Sequence, residues 1–313
     1  MSGLTRLLGR SANTAFLLGL IVLAVMIEPI LLNERALRNV LTSASPLMIV
    51  AAGQALVMLV GGIDLSVGPV MGLANVIVAG AMQTSPGLAA PIVLGCLLAG
   101  IAVGLLNGWL VSYVRLNPFI ITLAVGMAVQ GLTLEIMNEP SGLVVSGFRQ
   151  IASAAFGPVP VAAIVIGAAF LVLAGVLRQT PQGVALFALG GNEASARLSG
   201  LPTRRLKLVV YAACGMLSAC SGLLLASRVG SGDPLIGEPY SLDSITAAVL
   251  GGTSLIGGVI NLAGAMVASI LLALINTLLN LEGISAFFQW IVKGAILIAA
   301  LSLDLLRRRR RSR

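Results

Sequence analysis

Ten apolar runs follow one another along the chain, at roughly 13–32, 42–60, 67–83, 89–113, 118–137, 161–177, 208–227, 244–258, 262–280 and 285–304. A helix needs about 20 apolar residues to cross the hydrocarbon core of a bilayer, and only helices and closed barrels satisfy their own backbone there. Runs of this length predict an all-α integral membrane protein with about ten transmembrane helices, forming a single transmembrane domain over 1–313. Composition agrees. Charged residues make up 10% of the chain, against about 25% in soluble domains, and mean hydropathy is +1.05. The short run at 244–258 leaves a broken or re-entrant element open.

Charge placement sets the orientation. With the N-terminus inside, the inner connections hold Arg6, Arg10, Arg115, Arg178, Arg197, Arg204, Arg205, Lys207, Arg307 to Arg311 and Arg313. The outer connections hold only Arg35, Arg38, Arg149 and Arg228, and Lys293 lies within a membrane segment. Both termini are therefore expected in the cytoplasm. The net charge of +8 then needs no nucleic acid, and the basic C-terminal run reads as an anchor beside anionic membrane lipid. The chain has no His, and Cys96, Cys214 and Cys220 all sit in apolar runs, so no metal or cofactor is expected. The first apolar run is long and no small-residue cleavage site follows it, so no cleaved signal is expected. No Walker A pattern and no nucleophile–base constellation appear. Catalytic residues are not expected, and energy for transport would have to come from a partner.

Two stretches repeat one pattern. Gly61-Gly62-Ile63-Asp64-Leu65-Ser66-Val67-Gly68 aligns without gaps on Gly251-Gly252-Thr253-Ser254-Leu255-Ile256-Gly257-Gly258, with four identities. In each a glycine pair precedes an N-cap type residue, Asp64 or Ser254. This suits a helix that stops and restarts, as in transporters with internal repeats. Asp64 is the best-placed intramembrane charge for transport chemistry, and an N-cap role explains it equally. Gly100, Gly104 and Gly108 form a stripe where another helix can approach closely, beside which Asn107 reads as interhelical glue or as a group that binds hydroxyls. Lys293, one turn after Gln289, is expected to face inward. The segment 138–160 is the longest outer loop.

The cytoplasmic loop 178–207 is the longest polar, basic interval and contains a complete short helix. Asn192, after Gly190-Gly191, is an N-cap, and Glu193 places negative charge in the first turn. Ala194 and Leu198 share a face, while Glu193 and Arg197 are spaced to pair. Gly200 is a natural C′ residue and Pro202 blocks continuation. Two turns are too few to be stable alone. Such a helix folds back on its own protein or docks into a partner's groove.

Over roughly residues 40–304 the sequence resembles the membrane permeases of bacterial ATP-binding cassette (ABC) importers for monosaccharides, the ribose-type permease above all. The motifs are GGIDLSVG (61–68), GLLNGWLV (104–111), NPFIITL (117–123), ALGGNEASARLSG (188–200) and AVLGGTSLIGG (248–258). The resemblance implies a bacterial inner-membrane permease paired with a second copy or a paralogue. It would be driven by a cytoplasmic ABC ATPase and fed a sugar by a periplasmic sugar-binding protein. The stretch Gly191, Asn192, Glu193, Ala194, Arg197, Leu198 and Gly200 would couple to the ATPase, with Ser195 replacing the third Ala of the family's Glu-Ala-Ala loop. Asp64, Ser66, Asn107 and Ser254 are the candidates for the translocation pathway, with Gln54 and Asn75 as further polar groups. Two alternatives stand beside this: the same machinery carrying another polyol, a nucleoside or a furanoside signal, and an ion-coupled carrier using Asp64.

Overall fold

A computed structural model describes the backbone of residues 2–311, with side chains over most of 14–302. Expectations for the side chains of Arg6, Arg10 and the basic run 307–313 lie outside the described residues. The chain is helical almost throughout: α1 (Ser2–Ile27), α2 (Glu34–Leu59), α3 (Val67–Thr84), α4 (Ala89–Trp109), α5 (Pro118–Ile136), α6 (Ser146–Ser153), α7 (Val161–Gln179), α8 (Pro181–Gly191), α9 (Glu193–Leu198), α10 (Thr203–Val229), α11 (Glu238–Leu250), α12 (Leu262–Leu281) and α13 (Ala286–Arg311). A two-stranded hairpin, Ala155–Phe156 against Val159–Pro160, joins α6 to α7.

Among the described residues, seven segments are long and apolar enough to span a membrane, and shorter apolar helices lie at Thr14–Met26 and Phe287–Ala299. These nine cover every expected run except 244–258. There α11 stops after 13 residues, and the chain is non-helical until Leu262. Gly251 and Gly252 end the helix with a left-handed turn, φ +95° at Gly252, and Thr253 N–H reaches back to the Ala248 carbonyl at 2.9 Å. Apolar composition alone does not register that stop.

The spans divide into two kinds. α2, α3 and α10 are largely buried, whereas α4, α5 and α7 leave most of their apolar surface outward, as lipid-facing helices do. α10 is the central post, packed on α2, α3 and α4. Its seam with α4 is the expected glycine stripe. A β-carbon at Gly100 would meet the Gly215 backbone, at Gly104 the Tyr211 carbonyl, and at Gly108 the Leu208 α-carbon at 2.9 Å. Small residues are what allow this approach without a hydrophobic drive between helices. The expected outer loop is a structured strap: α6 packs on α10 and α7, and Val144 and Ala152 are buried.

Candidate functional site

The first glycine pair ends α2 by a Schellman turn. Gly61 has φ +79°, its N–H bonds the Met58 carbonyl, and Gly62 N–H bonds the Val57 carbonyl. Six residues later α3 begins at Val67, with Ser66 in the N-cap position. Asp64 is thus not the N-cap. Its carboxylate accepts from Ser66 N–H at 2.9 Å and from Ser66 Oγ–H at 2.6 Å, closing a tight turn just before the helix.

This turn is held from every side. Asn107 Nδ2 donates to Ser66 Oγ at 2.8 Å and approaches Asp64 Oδ1 at 3.4 Å. Gln54, with its amide oriented to match, donates to the Asp64 carbonyl at 3.0 Å and accepts from the Asp64 N–H at 3.3 Å. Thr122 Oγ1 accepts from Leu65 N–H at 3.0 Å, and Ser241 Oγ donates to the Leu65 carbonyl at 3.1 Å. Asp64 is 1% exposed and Gln54 and Asn107 are 0%. In a low-dielectric bundle an unpaired backbone group costs about 1–3 kcal/mol, so this wrapping is what makes an irregular stretch tolerable at membrane depth. Among the described residues, Asn107 Oδ1 and the Tyr211 hydroxyl have no hydrogen-bond partner. Through its Nδ2, Asn107 links α4 to the turn before α3.

The second stretch behaves differently. No helix restarts at Ser254; its N–H bonds the Val259 carbonyl, and its Oγ accepts from Ile256 N–H at 3.2 Å. α12 is capped instead by Asn261, whose Oδ1 accepts from Gly264 N–H at 3.1 Å and whose Nδ2 donates to the Gly251 carbonyl at 2.7 Å. The two breaks nevertheless meet. Gly258 N–H donates to the Leu59 carbonyl at 2.9 Å, and a β-carbon on Gly257 would come within 3.2 Å of Gly61 N. Ser254 thus lies in a break that touches the end of α2, while Asp64, Ser66 and Asn107 form one cluster. Asn75 stands apart from it, accepting from Asp233 N–H at 2.7 Å.

The same junction receives the arm formed by α8 and α9. Thr180 caps α8, its Oγ1 accepting from Gly183 N–H at 3.1 Å. At the far end Gly190 packs on the Leu59 carbonyl and the Gly258 nitrogen. Asn192 then caps α9, its Oδ1 accepting from Ser195 N–H at 2.9 Å, and Gly200 closes the helix at φ +81° before Pro202. The expected Glu193–Arg197 pair does not form. Glu193 binds Lys207 Nζ at 2.6 Å, because the chain doubles back after Pro202 and brings the first turn of α10 alongside. Of the apolar positions on α9, Ala196 faces inward, while Ala194 is exposed and Leu198 is 88% exposed.

Lys293 does face inward, bonding Asp243 Oδ2 at 2.7 Å. Asp243 lies within α11, and the pair ties α11 to α13. Thr122, Tyr211 and Ser241 escaped notice in the sequence. A hydroxyl in an apolar run carries no sign of which break it will serve, although Thr122 lies within NPFIITL.

Residues 36–301 match the family described as the permease component of the branched-chain amino acid transport system. The chain is 38% identical to the ribose import permease protein RbsC of Bacillus subtilis, covering 92% of this chain and 91% of that protein. It is 35% identical to the ribose import permease protein RbsC of Escherichia coli K12, over 92% and 91%. Identity to the L-arabinose ABC transporter permease protein AraH of Azospirillum brasilense is 32%, over 99% and 91%. No solved structure matches the chain. Its wrapped helix breaks, its multi-pass apolar bundle and this match over most of its length agree, and the chain belongs to that permease family.

Proposed function

We propose that this chain is the membrane-spanning subunit of an ABC importer in the bacterial inner membrane, carrying a monosaccharide of the ribose class into the cytoplasm. Relatives named for ribose, matched over more than nine-tenths of this chain, support the sugar over the amino acids of the family's description. Both termini lie in the cytoplasm, with about ten membrane segments of which some are broken, and the two glycine-pair stretches mark corresponding points of an internal repeat. A cytoplasmic ATPase, a periplasmic sugar-binding protein and a second permease subunit complete the assembly.

The observation that carries this reading is the exposed helix α9. Its cap and its stop are both internal to the chain, yet Leu198 is left bare at its end. An apolar side chain that the protein itself does not cover suits a groove on a partner. Gly191, Asn192, Glu193, Ala194, Arg197, Leu198 and Gly200 form the face and frame offered to the ATPase. A displacement of α9 passes through α8 to Gly190, where backbone meets backbone at Leu59 and Gly258. It therefore reaches the ends of both helix breaks at one point. The sugar passes beside Asp64, Ser66, Asn107 and Ser254 when those packed groups part, a rigid-body transition of the kind that packed, bistable interfaces undergo.

The test is ATP hydrolysis by the cognate ATPase with this protein in vesicles. Ribose-loaded binding protein is expected to stimulate hydrolysis, and deletion of 192–200 to abolish that stimulation. Stimulation that survives the deletion would refute the coupling role of α9. Stimulation by a leucine-loaded binding protein instead would move the substrate to the class in the family's description.

A further inference from the structure

On α10, Tyr211 faces both the seam with α4 and the end of α2. A β-carbon on Gly108 would come within 3.1 Å of Tyr211 Cβ, and one on Gly62 would strike the Tyr211 hydroxyl and stand 3.2 Å from its Cζ. Of the first glycine pair, Gly61 supplies the left-handed turn at φ +79°, whereas Gly62 has no positive φ. Gly62 is a glycine for space, and the group in that space is a phenol.

Packing explains the ring and leaves the hydroxyl unexplained. Tyr211 is 0% exposed, and buried phenols ordinarily find a hydrogen-bond partner. The polar groups of the break are already taken: Gly62 N–H by the Val57 carbonyl, Asp64 N–H and carbonyl by Gln54, and Ser66 N–H by Asp64. A phenylalanine would fill the same space without the desolvation cost of an unpaired hydroxyl. Asn107 Oδ1, on the facing helix α4, is buried and unpaired as well. A donor on α10 and an acceptor on α4 thus flank the same turn, where Asn107 Nδ2 already binds Ser66.

We propose that Tyr211 is a sugar-contacting residue of the translocation route. Its hydroxyl, unpaired while α10 packs on Gly62, donates to a substrate hydroxyl when the turn at 62–66 moves away. The inference rests on the route proposed above and deepens it by adding a residue that the polar motifs do not include. A sugar hydroxyl both accepts and donates, so it can accept from the phenol while another donates to Asn107 Oδ1. The two unpaired groups also weaken the packed arrangement relative to one in which water or sugar reaches them. Substrate contact and release of the packing therefore draw on the same two atoms.

The test uses the complete permease–ATPase complex in vesicles with ribose-loaded binding protein, and measures ribose uptake and ATP hydrolysis together. Tyr211→Phe keeps the ring and removes one oxygen. It is expected to lower ribose carried per ATP about threefold to tenfold, the worth of one hydrogen bond. Stimulated hydrolysis should stay within about twofold of wild type, and the melting temperature should be no lower, since no bond is lost in the packed protein. Tyr113→Phe, on the exposed stretch after α4, should keep the wild-type ratio. A melting temperature lowered by several degrees in Tyr211→Phe would show that the hydroxyl is bonded in the packed protein, and overturns the proposal. Hydrolysis and uptake that fall in step would make Tyr211 a packing residue of the moving bundle, which overturns it too. An unchanged ratio, with a wild type that responds, overturns the contact and leaves the proposed function standing. A wild type that neither responds to the loaded protein nor takes up ribose removes the proposed function and the contact together.

Discussion

Gly190 rests directly on the carbonyl oxygen of Leu59, at the point where that oxygen accepts a 2.9 Å hydrogen bond from Gly258. Three backbones from α8, α2 and the second break share a space that no side chain could enter. Gly175, on α7, has open surroundings. Gly190→Ala is therefore expected to lower sugar-stimulated ATP hydrolysis at least roughly tenfold, since overpacking costs about 1–3 kcal/mol. Gly175→Ala should stay within about twofold on the same scale. Equal effects at the two positions, measured in the reconstituted complex, would deny the junction any transmitting role.

Leu198 separates docking from folding. Its side chain touches little of its own protein, so Leu198→Asp should leave the melting temperature nearly unchanged, within the ~0.5 kcal/mol typical of surface changes. Stimulation by the binding protein should nonetheless be lost. Asn192→Ala should instead loosen α9 by about 1 kcal/mol through the lost cap, visible as faster hydrogen exchange over 193–198.

Asp64 serves the turn before α3 through acceptor oxygens, a task an amide oxygen also performs. Asp64→Asn is therefore expected to fold and to keep ATP-driven uptake in vesicles. Asp64→Leu strands the buried Ser66 N–H and should cost about 1–3 kcal/mol. Uptake abolished in a well-folded Asp64→Asn protein would favour ion coupling through this carboxyl.

The Asp243–Lys293 pair is mostly buried, with 12% and 20% of the side chains exposed. Removing either partner alone leaves an uncompensated charge, so Lys293→Met should destabilise by roughly 3 kcal/mol. Combining it with Asp243→Leu should recover most of that loss, because buried pairs are often replaceable by apolar residues. A thermodynamic cycle in detergent, by thermal melting of the four proteins, reads this directly.

Some of this structure was legible in the residues and some was not, for physical reasons. α9 could be read to its ends because cap, glycine stop and proline are local signals. The stripe at Gly100, Gly104 and Gly108 marked the α10 seam because only close backbone approach explains such spacing. The run at 244–258 misled because apolarity reports burial, not continuity: half of it is α11 and half is non-helical. Glu193 found Lys207 in preference to Arg197 because its partner is set by how the chain turns after Pro202. The same holds for Thr122 and Ser241, whose roles exist only once distant helices are assembled around Leu65.

The non-helical stretch from Gly251 to Asn261 has a consequence for how the protein is made. Gly258 N–H is bonded to Leu59, nearly two hundred residues earlier, and the Gly251 carbonyl to the side chain of Asn261. A segment whose polar backbone depends on another helix cannot rest alone in lipid on leaving the translocon. The N-terminal helices must already be in place as a template when α11 emerges. Biogenesis therefore has a built-in order, and a ribosome stalled just past residue 261 would hold this segment unsettled unless α2 were present to receive it.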